Sequence, residues 1–187
     1  MKRPFVSDRI VTRLFNEKGI FEWNDALRLV RTIPYGRNPD RVNFLQVLQN
    51  EKGTCSSKHA LLKILADENG WKDVKLILGM YRMSGENTPA TGPVLKQYKL
   101  GYIPEAHCYL SVAGERIDVT SRHSDIRNVL PDILEEQEII PSQVGDCKVL
   151  YHQSFLKEWI QKEKIPYQFD EIWSIREKCI AALSFGV

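Results

Sequence analysis

Apolar residues recur at helical spacing from Ile10 to Phe15 and again from Trp23 to Ile33, so the first third of the chain reads as helices. The run Ile33-Pro34-Tyr35-Gly36-Arg37-Asn38-Pro39 is dense in breakers and reads as loop. Asn43 to Gln49 has the pattern of a short helix. The clearest helix covers Cys55 to Glu68, with Ala60, Leu61, Ile64 and Leu65 as the face to bury and Asn69-Gly70 as its C-terminal stop. Period two then takes over. Val74 to Tyr81, His107 to Val112 and Arg116 to Val119 are rich in apolar and β-branched residues and predict strands. Between the first two lies Ser84 to Glu105, broken by Pro89, Gly92, Pro93, Gly101 and Pro104, which predicts a disordered lid or a binding loop. Lys148 to His152 predicts a further strand, and Ser154 to Glu163 and Phe169 to Leu183 predict two closing helices. Helices first, antiparallel strands next and helices last make the chain α+β.

Composition narrows the function classes more than it changes this picture. The 187 residues are most simply one domain over 1–187, large enough to bury about 70% of the unfolded surface. A net charge of +2 gives no strong field toward nucleic acid. No stretch approaches the ~20 apolar residues of a membrane span. Met1-Lys2-Arg3-Pro4-Phe5 lacks the apolar core of a signal peptide, which points to the cytoplasm, where Cys55, Cys108, Cys147 and Cys179 stay reduced. Their irregular spacing, with no Cys-x-x-Cys pair, suggests neither a disulfide framework nor a zinc knuckle.

Candidate chemistry centres on Gly53-Thr54-Cys55-Ser56-Ser57-Lys58-His59. A glycine turn delivers a cysteine to the first turn of a helix, where unpaired N–H groups and the macrodipole favour a thiolate. Cys108, Cys147 and Cys179 read instead as small, buried and inert hydrophobes. Downstream, His107 opens one strand and Asp118 lies within the next, an uncommon place for aspartate that calls for a polar partner. Cys, then His, then Asp is the order an activated thiol needs. The pairing depends on register. A two-residue turn at Ala113-Gly114 sets His107 across from Thr120 and Asp118 a diagonal step away on the same face, whereas a turn centred on Gly114-Glu115 moves Asp118 out of reach. His123 and His152 fall in polar stretches that read as exposed, and Tyr35-Gly36-Arg37 reads as a surface turn.

These motifs, Gly-Thr-Cys-Ser-Ser-Lys-His, His-Cys-Tyr-Leu-Ser-Val and Gly-Glu-Arg-Ile-Asp-Val-Thr, resemble those of the transglutaminase-like superfamily, in family order and over a core of about 33–120. The resemblance implies a papain-like arrangement, with the nucleophile helix packed on an antiparallel sheet. It implies Cys55 as nucleophile, His107 as general acid/base and Asp118 as the orienting acid. Gln49 precedes Cys55 at the spacing at which papain-like enzymes carry an oxyanion-hole glutamine. Two departures stand out: Tyr109 replaces a tryptophan common two residues after the histidine, and the interval from His107 to Asp118 is short. The implied reaction is acyl transfer or hydrolysis of an amide in a peptide, protein or small molecule, with no cofactor and no metal. Water or an amine would accept the acyl group. Hydrolysis is favoured, because few residues remain for a second-substrate site and no calcium-loop pattern is present.

Two rivals remain. Cys55 and His59, four apart on one helical face, with His107 as a third ligand, would suit an open zinc site. Alternatively, the same fold is a catalytically inert module whose Ser84 to Glu105 segment grips a protein partner.

Overall fold

In the computed structural model, which describes residues 2–185, the helices of the first third of the chain start and stop close to where periodicity sets them, and the later elements depart from it. Helices α1 (Ile10–Glu17), α2 (Trp23–Thr32), α3 (Gln46–Gln49) and α4 (Cys55–Glu68) come first. Strand β1 (Val74–Met83), helix α5 (Gly92–Gln97), and strands β2 (Ile103–Val112), β3 (Glu115–Ile117) and β4 (Ile133–Ile139) follow. Helices α6 (Asp146–Lys162) and α7 (Phe169–Phe185) close the chain. The strands form one four-stranded antiparallel sheet in the order β3-β2-β1-β4, so the fold is α+β. The backbone divides into two compact units. The first comprises Met1–Leu78, Cys108–Ile126 and Gln137–Gly145, and the second Gly79–His107, Arg127–Glu136 and Asp146–Val187.

In the first unit α4 is the central element. Helices α1, α2 and α3 and the 3-10 turn Pro141–Val144 pack against it. It is therefore buried on more than the single face that periodicity predicts: Cys55, Lys58, His59 and Leu62 are buried beside Ala60, Leu61 and Leu65, while Ile64 is only half-buried. Its C-terminal end ties down the start of the chain. The Glu68 carboxylate accepts the N–H groups of Val11 (3.1 Å) and Thr12 (2.7 Å), capping α1, whose own N-cap residue Arg9 offers no side-chain acceptor. Asn69 Oδ1 accepts from Val6 (2.7 Å) and Ser7 (3.1 Å), and its Nδ2 donates to Thr12 Oγ1 and the Leu65 carbonyl. Phe5, Phe15, Trp23 and Trp71 build an aromatic cluster with ring centroids 5.4–6.2 Å apart, roofed by Arg3, which is paired with Asp73.

The β2–β3 hairpin pairs Leu110 with Ile117, Ser111 with Arg116 and Val112 with Glu115, which makes Ala113-Gly114 a two-residue turn. Both turn residues have positive φ (50° and 88°), as the twist of a tight hairpin requires. Of the two registers open to the sequence, this is the one with the turn at Ala113-Gly114, although the ladder ends at the pair Leu110 and Ile117, before Asp118.

In the second unit the predicted loop is corrected. Residues 84–102 hold a capped turn, a 3-10 turn at Pro89–Thr91 and α5, and β2 begins at Ile103. Asn87 organises the turn: its Oδ1 accepts from Ser84 N, and its Nδ2 donates to the Arg82 carbonyl and to Asp132. Two glycines allow the chain to fold back on itself, since a Cβ on Gly85 would lie 2.9 Å from the Cα of Gly92. Lys148 to His152 also departs from expectation, forming the first turns of α6 rather than a strand. The fourth strand is instead Ile133–Ile139, whose central Glu-Glu-Gln-Glu gives no alternation to read and is exposed on the sheet edge.

The second unit also contains a buried ionic cluster. Arg176 grips the Glu105 carboxylate with two donors, Nε at 2.7 Å and the second through Nη2, and donates to Glu177 through Nη1 (2.6 Å). Burial alone would push the Glu105 carboxyl up, but the charge of Arg176, aided by His152 and Lys148, outweighs it and brings the pKa down to about 2. His152 is buried rather than exposed, with Nε2 donating to the Pro104 carbonyl at 2.9 Å, and burial lowers its pKa despite Glu105 nearby.

Candidate active site

The site begins with a helix start built by sequence-local chemistry. Thr54 caps α4: its Oγ1 accepts the Ser57 N–H (3.3 Å), and Ser57 Oγ accepts the Thr54 N–H (3.0 Å), a reciprocal box. Just upstream, Gly53 N–H donates to the Pro34 carbonyl and the Gly36 N–H donates back to the Gly53 carbonyl, both at 3.1 Å. The Tyr35-Gly36 turn is thereby joined to the nucleophile motif by a backbone bridge. The need for glycine at 53 is spatial, because a Cβ there would lie 2.9 Å from Lys58 Cγ and 3.2 Å from Ser57 Oγ.

Cys55 is the first residue of α4, as expected, and is buried. Its Sγ lies 3.9 Å from Ser56 Oγ, which in turn donates to Cys108 Sγ at 3.6 Å. Cys108 and Cys179 are buried as expected. Cys147 is exposed, because it occupies the outer side of the first turn of α6.

His59, one helical turn beyond Cys55, links the helix to the segment carrying Asp118. Val119 N–H donates to Nε2 at 2.9 Å, so Nε2 must hold the lone pair; Nδ1 then carries the proton and donates it to the Cys55 carbonyl at 2.7 Å. This neutral tautomer has no nitrogen left for a metal. His59 is thus a structural histidine, which removes it from the zinc set Cys55/His59/His107. Among the described residues no group of three or more His, Cys, Asp or Glu side chains is placed to hold a metal ion.

Asp118 lies just beyond β3 rather than within a strand, because the ladder stops at Ile117 and the next N–H groups are captured by side chains. Its Oδ1 accepts from Thr120 N (2.8 Å) and Thr120 Oγ1 (2.6 Å) and is 3.6 Å from His59 Nε2. From α2, Arg31 donates to the carbonyls of Asp118 (2.7 Å) and Ser124 (3.1 Å), fixing the path of this segment. Within the first unit, then, one buried imidazole joins the backbones of Cys55 and Val119, with the Asp118 carboxylate 3.6 Å from its Nε2.

Lys58 is the residue that sequence reasoning missed. It is fully buried, and its Nζ donates to the carbonyls of Ile33 and Thr120 (2.6 Å to the latter). Burial pulls its pKa from 10.5 down to about 8, opposed by the charges of Asp118 and Cys55. The available signal was a lysine three residues after the cysteine, on the same helical face as Cys55 and Leu62, where a solvated lysine does not belong.

Two further candidates are His107 and Gln49. His107 is the last residue of the Gly79–His107 segment of the second unit; it sits in mid-strand rather than at a strand start, because β2 begins four residues earlier than the pattern suggests. It is half-buried, with its ring edge-to-face with Tyr81 at 6.1 Å. Gln49 is the final residue of α3 and its side chain is exposed. No protein-family model, no curated protein and no solved structure matches the chain.

Proposed function

We propose that the protein is a transglutaminase-like cysteine hydrolase that cleaves an amide through a Cys55–His107–Asp118 triad. The observation that carries this reading is the helix start at Cys55, which His59 joins by hydrogen bonds to the backbone of the segment bearing the buried Asp118. Nucleophile and orienting acid are held by hydrogen bonds on rigid elements, as an activated thiol requires. The two-residue turn at Ala113-Gly114 is the one this reading calls for, and Asp118 follows directly on the last paired residue, Ile117.

In this reaction the Cys55 thiolate attacks the amide carbon, and the carbonyl electrons move onto oxygen. The positive end of α4 faces that oxyanion, and Gln49 would have to swing inward from solvent to add a donor. His107 as imidazolium protonates the leaving nitrogen, the C–N bond breaks and a thioester forms on Cys55. His107, now neutral, takes a proton from water as it attacks the thioester, the C–S bond breaks, and the acid leaves with the Cys55 thiolate and the His107 imidazolium restored. Asp118 favours the required tautomer and the imidazolium. An amine in place of water would give transamidation.

The test is turnover of a panel of peptides, glutamine side chains and small acyl amides, with and without a primary amine. Wild type should release amine from at least one class, while Cys55→Ala and His107→Ala stay folded and fall to background. Turnover that survives Cys55→Ala contradicts the reading. A folded wild type inert to the whole panel points to the binding module instead.

A further inference from the structure

The acyl-transfer reading leaves Lys58 without a role, yet the molecule spends a buried ammonium on it. A position that only needed filling would favour leucine or methionine, since an ammonium loses much of its hydration on burial. Here the nitrogen is pinned by two carbonyls from separate segments: Ile33, at the end of α2, and Thr120, whose own N–H and Oγ1 hold Asp118. Its stem passes over Gly53 so closely that any side chain at 53 would strike it. Glycine in the Gly-Thr-Cys motif thus serves the lysine three residues beyond the cysteine.

The charges that face this nitrogen are few. Lys58 is buried three residues beyond Cys55 on one face of α4, and it meets the carbonyl of Thr120, the residue that holds Asp118; the negative charges of a Cys55 thiolate and of Asp118 favour its charged form. Arg31, the neighbouring cation, is directed at backbone carbonyls, and His59 is neutral by its tautomer. Electrostatic coupling is reciprocal: a thiolate that stabilises an ammonium is stabilised by it to the same degree.

We propose that Lys58 is a positioning residue of the Cys55 site, a buried ammonium that favours the Cys55 thiolate and the Asp118 carboxylate, with Gly53 providing the space its stem requires. Its use in turnover rests on the reading of Cys55 as nucleophile, but the coupling itself does not.

The pH dependence of iodoacetamide labelling at Cys55, followed by peptide mass spectrometry, reads the thiolate directly. Lys58→Met should raise the apparent pKa of Cys55 by about one unit and slow labelling at pH 7 about tenfold. Lys58→Arg should restore most of the difference, and Gly53→Ala, which crowds the stem but keeps the charge, should give a smaller shift in the same direction. A lysine that merely held the loops together would change the melting temperature and leave this pKa alone. The converse experiment needs no change at Lys58: NMR titration of its amine in wild type and in Cys55→Ala should show a lower lysine pKa in the variant. An unmoved Cys55 pKa in folded Lys58→Met, or, where that variant does not fold, an unmoved lysine titration in Cys55→Ala, overturns the proposal. Coupling without amide turnover upholds the proposal for Lys58 and overturns the acyl-transfer reading instead.

Discussion

Each unit buries a charge, and the two do so in opposite ways. In the second unit Glu105 meets its counter-ion directly, and Arg176 drives it far from neutrality, with a pKa of about 2. In the first unit Lys58 is held by neutral carbonyls, and burial pulls it toward neutrality, with a pKa of about 8. A charge locked to its partner resists change over the whole physiological pH range and acts as a structural tie. A charge whose hydrogen bonds go only to neutral dipoles stays near its titration point and senses nearby charges, the condition under which side chains are found at reactive sites. The contrast sets a buried amine left near its titration point in the first unit against a locked ion pair in the second.

Substitutions should reproduce that order. Arg176→Met leaves Glu105 buried without its partner and should destabilise the protein by ~3–5 kcal/mol, measured by urea unfolding. Because the folded pKa of Glu105 lies below its ordinary 4.5, its contribution is complete above that value and should fade as pH falls toward 2; Glu105→Gln should lack this acid limb. His59→Leu removes the links to Cys55 and Val119 while keeping volume, and an expected loss of ~2–3 kcal/mol follows from two buried groups left unpaired.

Lys58→Met should alter stability less, by ~1–2 kcal/mol near neutral pH, because two carbonyls lose a donor while the burial of a charge is relieved. Its pH dependence has a definite sign. The folded pKa is about 8 against 10.5, so between these values the unfolded chain binds the proton more tightly. Wild type should therefore gain stability over Lys58→Met as pH rises through that window, by no more than ~1.4 kcal/mol per pH unit. Asp118→Asn should move stability least, within ~1 kcal/mol, because an amide oxygen still accepts from Thr120; turnover should nevertheless drop by about two to four orders of magnitude. A drop in stability matching the drop in activity would make Asp118 a structural residue like Glu105.

The sequence made the first unit more legible than the second. The limits of α4 were readable from a capping residue at Thr54, a continuous apolar set and the Asn69-Gly70 stop, all local signals. Asp118 stood out as a carboxylate among apolar residues, though its escape from the strand depends on His59 and Thr120, which no periodicity reveals. Lys58, His59 and His152 look like ordinary surface residues in the sequence because each is satisfied by a carbonyl from a distant segment. The order within 84–102 was hidden for a related reason. Pro89 and Pro93 read as breakers, yet each sits at the start of a short helix, where a missing N–H does no harm.

The claim on which everything else depends is that Cys55 is an activated thiol, and its alkylation profile tests this most directly. Iodoacetamide labelling across pH 5 to 10, with exposed Cys147 as the internal reference, should give Cys55 an apparent pKa well below the ordinary ~8.5, and His107→Ala should raise it. A Cys55 that labels near ~8.5 in wild type and in His107→Ala alike would contradict the account, leaving an ordinary thiol at a well-capped helix start.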